Sequence, residues 1–389
     1  MLDPVVIPPE EIARRTVLRS DWVPCKSAFI DCRTPGSDRK DNYAFIGPGV
    51  SQNPDQYVNL RERHGFNLGA AGMPNGTTNS LHLHFTAEVF INFDGDYLLR
   101  WGADGRQGEY RSVDGDVVSV PPWIFRGFTN VGPDEGILLT VLGRDDTGGI
   151  IWGPPVLEEA ADFGLYLTAD NTLVDTAIGE RVPEGTRLIE PMDQAEIDQL
   201  DVYTVEQFRT RVVHAPDRAW VARPFLCSEL PGGGAELAPV IGHGMVEDRR
   251  ARPPLADPHG FDLAWLRAVP GEGVLTHRHD QTQVLTAKAG CWAVTLNTGP
   301  DAAVVELGPL DTLSVPPGVW RSITLLHADA GRSATPGTGE MLVVNGGDER
   351  TTVEWGPEVV TSARRAGVVL DANGYLAPAA VLAAATEDD

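Results

Sequence analysis

The chain has 389 residues, 42% of them apolar and 22% charged, an ordinary globular composition with length for two or three cores that excludes a disordered chain. Asp and Glu outnumber Lys and Arg by 55 to 31, and a net charge of −24 excludes nucleic acid and anionic membrane surfaces as natural partners. Gly 42 and Pro 30 are both abundant, as in a turn-rich β protein. In chain order, residues 1–58 read as an extended arm with one short acidic helix. The opening MLDPVVIPPEEIARR lacks the basic start and apolar core of a secretory leader. Strands follow in SLHLHFT, in FINFDGDYLLRWG with a turn at Asp94-Gly95, and in GDVVSVPPW, where apolar and polar positions alternate. After Trp152-Gly153-Pro154, the run VLEEAADFGLYL has Pro at its start and Gly near its end, the punctuation of a helix. Strands and helix together take residues 59–184, and residues 185–215 read as a helical connector. Residues 216–389 repeat the order with VLTHRH, QVLTAKAG, CWAVTLN and DTLSVPPG, then the helical VVTSARRAGVVL. Tyr375–Ala385 reads as an Ala-rich C-terminal helix interrupted by Pro378.

The second half copies the first. HGFNL at His64–Leu68 recurs as HGFDL at His259–Leu263, an offset of 195, and His82-x-His84 recurs as His277-x-His279 at the same offset. Gly76 and Gly271, Gly95 and Gly290, Asp116 and Asp311, Arg126 and Arg321 keep that register, as does SVPP at Ser119–Pro122 and Ser314–Pro317. The offset then grows to 203, with Trp152–Val156 matching Trp355–Val359, after the polar insertion Ala328–Gly339, a surface loop by composition. A register held this long by rare residue types is the mark of a duplicated domain. The predicted fold is all-β dominated: two tandem jelly-roll barrels with flanking helices.

Two histidines at i and i+2 on a strand point the same way, and an acidic residue four positions later can converge on them after a bend. That pattern, Gly76-x5-His82-x-His84-x3-Glu88-x6-Gly95, resembles the first signature of the cupin superfamily at every fixed position. The second half differs only in carrying Gln283 where the first has Glu88, around His277 and His279. The second cupin signature is met by Gly115, Pro121 and Asn130, but in the repeat only by Pro316 and Gly318. The resemblance identifies the chain as a two-barrel cupin, a bicupin. It implies a metal on His82, His84 and Glu88, and a weaker site on His277, His279 and Gln283.

Where cupin sites take their last histidine, this chain has Arg126 and Arg321, and a guanidinium cannot ligate a cation. Three arrangements answer this. His82, His84 and Glu88 suffice as a two-His-one-carboxylate triad suited to Fe(II), while Arg126 clamps an anionic substrate group. Alternatively His64, duplicated as His259, replaces the missing ligand. Or Arg126 pairs with Glu88 and takes the place of the ion.

Phe90, Phe93, Tyr97, Trp101, Trp123, Phe125 and Phe128 surround Arg126 in sequence and suit an apolar pocket. Bicupins include ring-cleaving dioxygenases, oxalate decarboxylases, sugar isomerases and metal-free storage proteins. The expectation is an Fe(II) dioxygenase acting in the first barrel on a small anionic aromatic or enolic molecule. A Mn, Ni or Zn hydrolase, lyase or isomerase and a metal-free binding protein are the rivals. No GxxxxGK, GxGxxG, GxSxG or HExxH directs the chain to nucleotide or serine-hydrolase chemistry. Cys25, Cys32, Cys227 and Cys291 form no CxxC pair; reduced thiols and a cytoplasmic location are expected, with a Cys25–Cys32 bridge as the alternative in an oxidising compartment. No run of about 18 apolar residues is present, so no membrane span is expected. The expected partner is a small-molecule substrate, and oligomer formation is compatible with this surface.

Overall fold

The computed structural model describes residues 5–331 and 333–381. They form two compact units: Val23–Ala215 is one, and the described residues up to Trp22 with those from Pro216 onward are the other. In the first unit a seven-stranded sheet runs in the order Val212–Val213, Val117–Val120, Glu88–Asp94, Gly136–Gly143, Phe66–Met73, Asp41–Ile46, Val58–Leu60. A five-stranded sheet runs Ile150–Trp152, Thr78–His84, Arg126–Asn130, Tyr97–Trp101, Gly108–Ser112. Most neighbours in the sheets are not consecutive in the chain, and the two curled sheets make a jelly-roll barrel. Alternation drives them: Tyr97, Leu99 and Trp101 are buried while Leu98 and Arg100 are less so. In Glu88–Asp94 the residues are buried on both faces through Phe93, the pattern of a strand covered on two sides.

The second unit repeats this plan with one continuous ten-stranded sheet. The turn at Asp94-Gly95 is present as expected, with Gly95 at φ 105, where an added Cβ would lie 2.9 Å from the Gly136 backbone. Its counterpart Gly290, at φ 84, instead sits inside the single strand Gln283–Leu296, where the ladder shifts register. A glycine with positive φ serves a turn in one copy and a bulge in the other.

The arm differs from the sequence expectation. Residues 1–58 are not one extended segment: Asp41–Ile46 and Val58–Leu60 are strands of the first barrel. The acidic helix Pro9–Arg15 and the strand Thr16–Val17 belong to the second barrel, where Thr16 pairs with Leu313 and Val17 with Thr312. Ile7 and Ile12 enter that barrel's core, and the Asn297 amide brackets the Ile7 backbone at 3.1 and 2.9 Å. The connector does the same for the first barrel. It holds two short helices, Gln194–Ile197 and Val205–Arg209, and ends in Val212–Val213, which pairs with Val117 and Val118. Arg211 donates to Ser119 Oγ at 2.9 Å as Arg15 donates to the repeat-matched Ser314 Oγ at 3.2 Å. The arm preceding each repeat therefore covers an edge in the barrel of the other repeat.

The helix after each barrel is shorter than its sequence run. Pro154–Asp162 and Pro357–Arg365 stop before Gly164 and Gly367, at φ 77 and 85. Leu165–Leu167 and Val368–Leu370 then open small hairpins. Leu376–Pro378, expected in a helix, is the second strand of the latter, because Pro378 closes the pair from an edge; residues 382–385 lie outside the described residues. The polar insertion is only partly a loop, since the strand Arg321–Gly331 runs into it.

Candidate functional site

His82 and His84 end the strand Thr78–His84, and Glu88 begins the next one. Period-two alternation turns both imidazoles into the barrel, where they are 2% and 1% exposed. Their ring centroids are 4.9 Å apart. His82 Nδ1 lies 2.7 Å from the Ser80 carbonyl and His84 Nδ1 3.4 Å from the Gly149 carbonyl. A carbonyl only accepts, so each Nδ1 carries the proton and each Nε2 keeps its lone pair. Burial, and then the Arg126 charge, push both histidines below their ordinary pKa, so both rings are neutral at pH 7. Burial works against the Glu88 charge, but the Arg126 guanidinium holds the carboxyl well below the usual range.

Arg126, in register with His82 on the neighbouring strand, donates from Nε and Nη2 to Glu88 Oε2 at 2.9 and 2.7 Å. Its Nη1 donates to the Ile124 carbonyl at 3.3 Å. Glu88 Oε1 remains on the histidine side, 3.5 Å from His84 Nε2. Among the described residues, ligand atoms of His82, His84 and Glu88 converge within 4.8 Å of one another. Two neutral imidazole nitrogens and an ionised oxygen suit a divalent first-row metal, and the carboxylate stands between that position and the guanidinium. The donor set fits a metal ion. Arg126 itself does not line the cavity beside the cluster, so the structure does not bring it to a substrate as a clamp.

That cavity has a volume of about 70 Å³, and His82, His84, Glu88, Phe90, Phe128 and Lys40 line it. Of the aromatic set singled out in the sequence, Phe90 and Phe128 reach it. Tyr97, Trp101 and Phe125 are buried in the barrel, and Trp123 is 45% exposed. Lys40 was not legible as a site residue. The available signal was rarity, since Lys26, Lys40 and Lys288 are the three lysines of an arginine-rich chain.

His64 is not gathered into the cluster. Its Nδ1 bonds the Glu62 carbonyl at 2.7 Å, and its backbone N–H and that of Gly65 donate to Asp145 Oδ1 at 2.8 and 2.9 Å. His259 repeats this with Asp257 and Asp348, at 2.6 and 2.7 Å. The duplicated histidine is a turn clamp in both barrels.

The second barrel departs from the expected weaker metal site. His277 keeps the bond to its i−2 carbonyl, Leu275, at 2.8 Å. His279 Nε2, however, accepts from Arg321 Nη1 at 3.0 Å, and the same nitrogen reaches Gln283 Oε1 at 3.4 Å. Gln283 Nε2 donates to Asn345 Oδ1 at 3.0 Å. With no carboxylate to hold it, Arg321 takes the His279 lone pair and reaches Gln283 Oε1, leaving His277 Nε2 without a partner among the described residues. Burial without a counter-charge lowers its pKa to about 9.

Two jelly-roll barrels in tandem, one with an inward His-x-His and carboxylate, define the two-barrel cupin architecture. The chain is similar in structure to oxalate decarboxylase from Lactobacillus farciminis in a formate complex (TM-score 0.52, 13% identity, 90% of each chain covered). It is similar also to the 7S globulin of Momordica charantia (0.50, 11%, 88% of this chain and 86% of that one). Vicilin from Capsicum annuum gives 0.50 at 12% identity, with 88% of each chain covered. The chain has the bicupin fold. No protein-family model matches the sequence, and no curated protein matches it. Among the described residues no helix is long and apolar enough to cross a membrane.

Proposed function

We propose that the first barrel is the active site of a metal-dependent enzyme acting on a small anionic organic molecule, and that with Fe(II) it works as a dioxygenase. The observation that carries the reading is the convergence of His82, His84 and Glu88 on a cavity. A bound ion with two imidazoles and one carboxylate supplies a Lewis acid with open positions for a substrate and, for iron, for O2. The chain's own groups do the rest. Ser80 and Gly149 carbonyls hold the imidazole tautomers, Arg126 keeps Glu88 ionised, and Phe90 and Phe128 give the cavity an apolar wall. Because Arg126 already answers the Glu88 charge, the ion's own charge favours an anionic substrate.

Metal analysis of the purified protein tests this: about one equivalent of iron or another first-row metal per chain is expected. Substrate turnover that stops in an anaerobic chamber marks the dioxygenase; turnover that persists marks a hydrolase, lyase or isomerase using Mn, Ni or Zn. A second reading rests on the two hydrogen bonds from Arg126 to Glu88 Oε2. There the ion pair replaces the metal and the barrel binds ligands without catalysis. A protein free of metal as purified, and refusing Fe(II), Mn(II), Ni(II) and Zn(II) on addition, selects it.

A further inference from the structure

The first barrel contains a second buried charge cluster beside the ligand set, which it meets where Asn79 Nδ2 lies 3.4 Å from His82 Nδ1. Lys40 precedes the strand Asp41–Ile46 and is 5% exposed. Its Nζ donates to both carboxylate oxygens of Asp31 at 2.5 Å and to Asn79 Oδ1 at 2.6 Å. Phe29 and Trp152 flank it, with ring centroids 5.1 and 5.9 Å from the ammonium. Asp31 also accepts from the Ser80 backbone N–H at 3.1 Å. Burying such a pair is unfavourable unless its partners compensate, and apolar replacements commonly serve a fold as well.

The repeat acts as an internal control on what the pair is for. At the matching offset of 195, Asp31, Lys40 and Asn79 become Leu226, Ala235 and Val274, and the second barrel folds with all three apolar. The fold does not need the ion pair. Nor does the histidine: His277 bonds its i−2 carbonyl at 2.8 Å without any such support, as His82 does at 2.7 Å. What distinguishes the first barrel is the cavity, and Lys40 and Asn79 line it while Asp31 does not. Lys40 and the Asn79 that accepts from it thus stand on the wall of the space a ligand would enter, and Asp31 stands behind them.

We infer that Lys40 is the residue that recognises the substrate's anionic group, and that the substrate is a small organic carboxylate whose oxygen replaces Asn79 Oδ1 on the ammonium. This rests on the reading of the first barrel as a metal site, where the Glu88 charge is already answered by Arg126. Lys40, a charged donor backed by Asp31, and the ion then give one anion two anchoring points. The cavity, with Phe90 and Phe128 on its wall, suits a small molecule such as one with a single ring.

The test uses the full chain, its metal content determined, with benzoate and its neutral isostere benzamide as calorimetric probes. The variant carries the repeat's own residues, Asp31→Leu, Lys40→Ala and Asn79→Val together, so no buried charge is left alone. The wild type is expected to bind benzoate roughly 10- to 100-fold more tightly than benzamide, and the variant to keep only the ion's share of that preference, at least about fivefold less than the wild type's, with its metal and its unfolding midpoint unchanged. A variant that retains the wild-type preference in full overturns the assignment, as does a wild type without it. Loss of metal from the variant overturns it too, by showing that the cluster supports His82. If the triple variant does not fold, Asp31→Asn with Lys40→Met poses the same question. A wild type that holds no metal yet prefers benzoate through Lys40 defeats the metal reading and leaves the assignment standing.

Discussion

The two barrels share register, strand plan and paired histidines, yet their interiors hold opposite solutions to one problem. Each buries an arginine where a cupin would place its last histidine. In the first barrel Glu88 receives that arginine, and the imidazole Nε2 atoms stay open beside a cavity. In the second, Gln283 cannot neutralise Arg321, which turns onto His279. The space is filled as well: Ala71 on the cavity wall becomes Leu266 in the second barrel's packed core. One carboxylate thus decides whether a buried cation sits beside a ligand set or inside it. The lesson is that a histidine pair alone does not make a site.

The comparison breaks most readily at Glu88. Glu88→Gln gives the first barrel the second barrel's ligand set, and metal affinity is expected to fall more than about 100-fold. Removing one partner of the buried pair is expected to cost about 3–5 kcal/mol in urea unfolding. A variant that keeps metal and midpoint removes Glu88 from both roles.

Glu247 offers a pH test. It stands where the first barrel has Gln52, and accepts from Trp355 Nε1 at 2.8 Å as Gln52 accepts from Trp152 Nε1 at 3.0 Å. Burial raises its pKa from 4.5 to about 8, against the pull of Trp355, the Leu226 backbone N–H and Arg350. The native state then holds a proton that the unfolded chain releases. This contribution is complete below pH 4.5 and is lost as pH rises through 8. Wild type is expected to lose a few kcal/mol relative to Glu247→Gln between these limits, read from paired urea melts. Parallel curves would show that the site is solvated.

Ala71→Leu sharpens the comparison at the cavity. It copies Leu266, and is expected to weaken benzoate binding more than about tenfold while stability shifts by less than about 1.5 kcal/mol. Unchanged metal content with lost ligand binding separates cavity from cluster.

The smallest effect is expected at Trp123, held at φ 61 where the repeat has Gly318 at φ 76. Trp123→Gly relieves left-handed backbone strain and loses the edge contact with Phe85, so the midpoint should move by less than about 1 kcal/mol. A large loss would show that the ring does more than rest on Phe85.

Local chemistry explains how much of this was legible. The His82-x-His84-x3-Glu88 spacing determines inward direction because strands alternate and the bend is short. Gly95, Gly164 and Gly367 announced their turns because positive φ favours glycine. His64 misled because duplication alone cannot distinguish a ligand from a turn clamp: its bonds run to a backbone carbonyl and to Asp145, 81 residues away. Lys40 was silent for a similar reason, since Asn79, which accepts from it, lies 39 residues on.

The sequence by itself determined the duplication, the all-β plan of each half and the shared inward direction of His82 and His84 in the first barrel, because periodicity and spacing are local properties of the chain. Only the tertiary structure decided which group each buried arginine would meet. It also decided that the arm before each repeat would cover the other barrel. An exposed edge accepts any short strand that can pair with its open N–H and C=O groups, and a buried cation takes whatever acceptor the closed barrel leaves within reach.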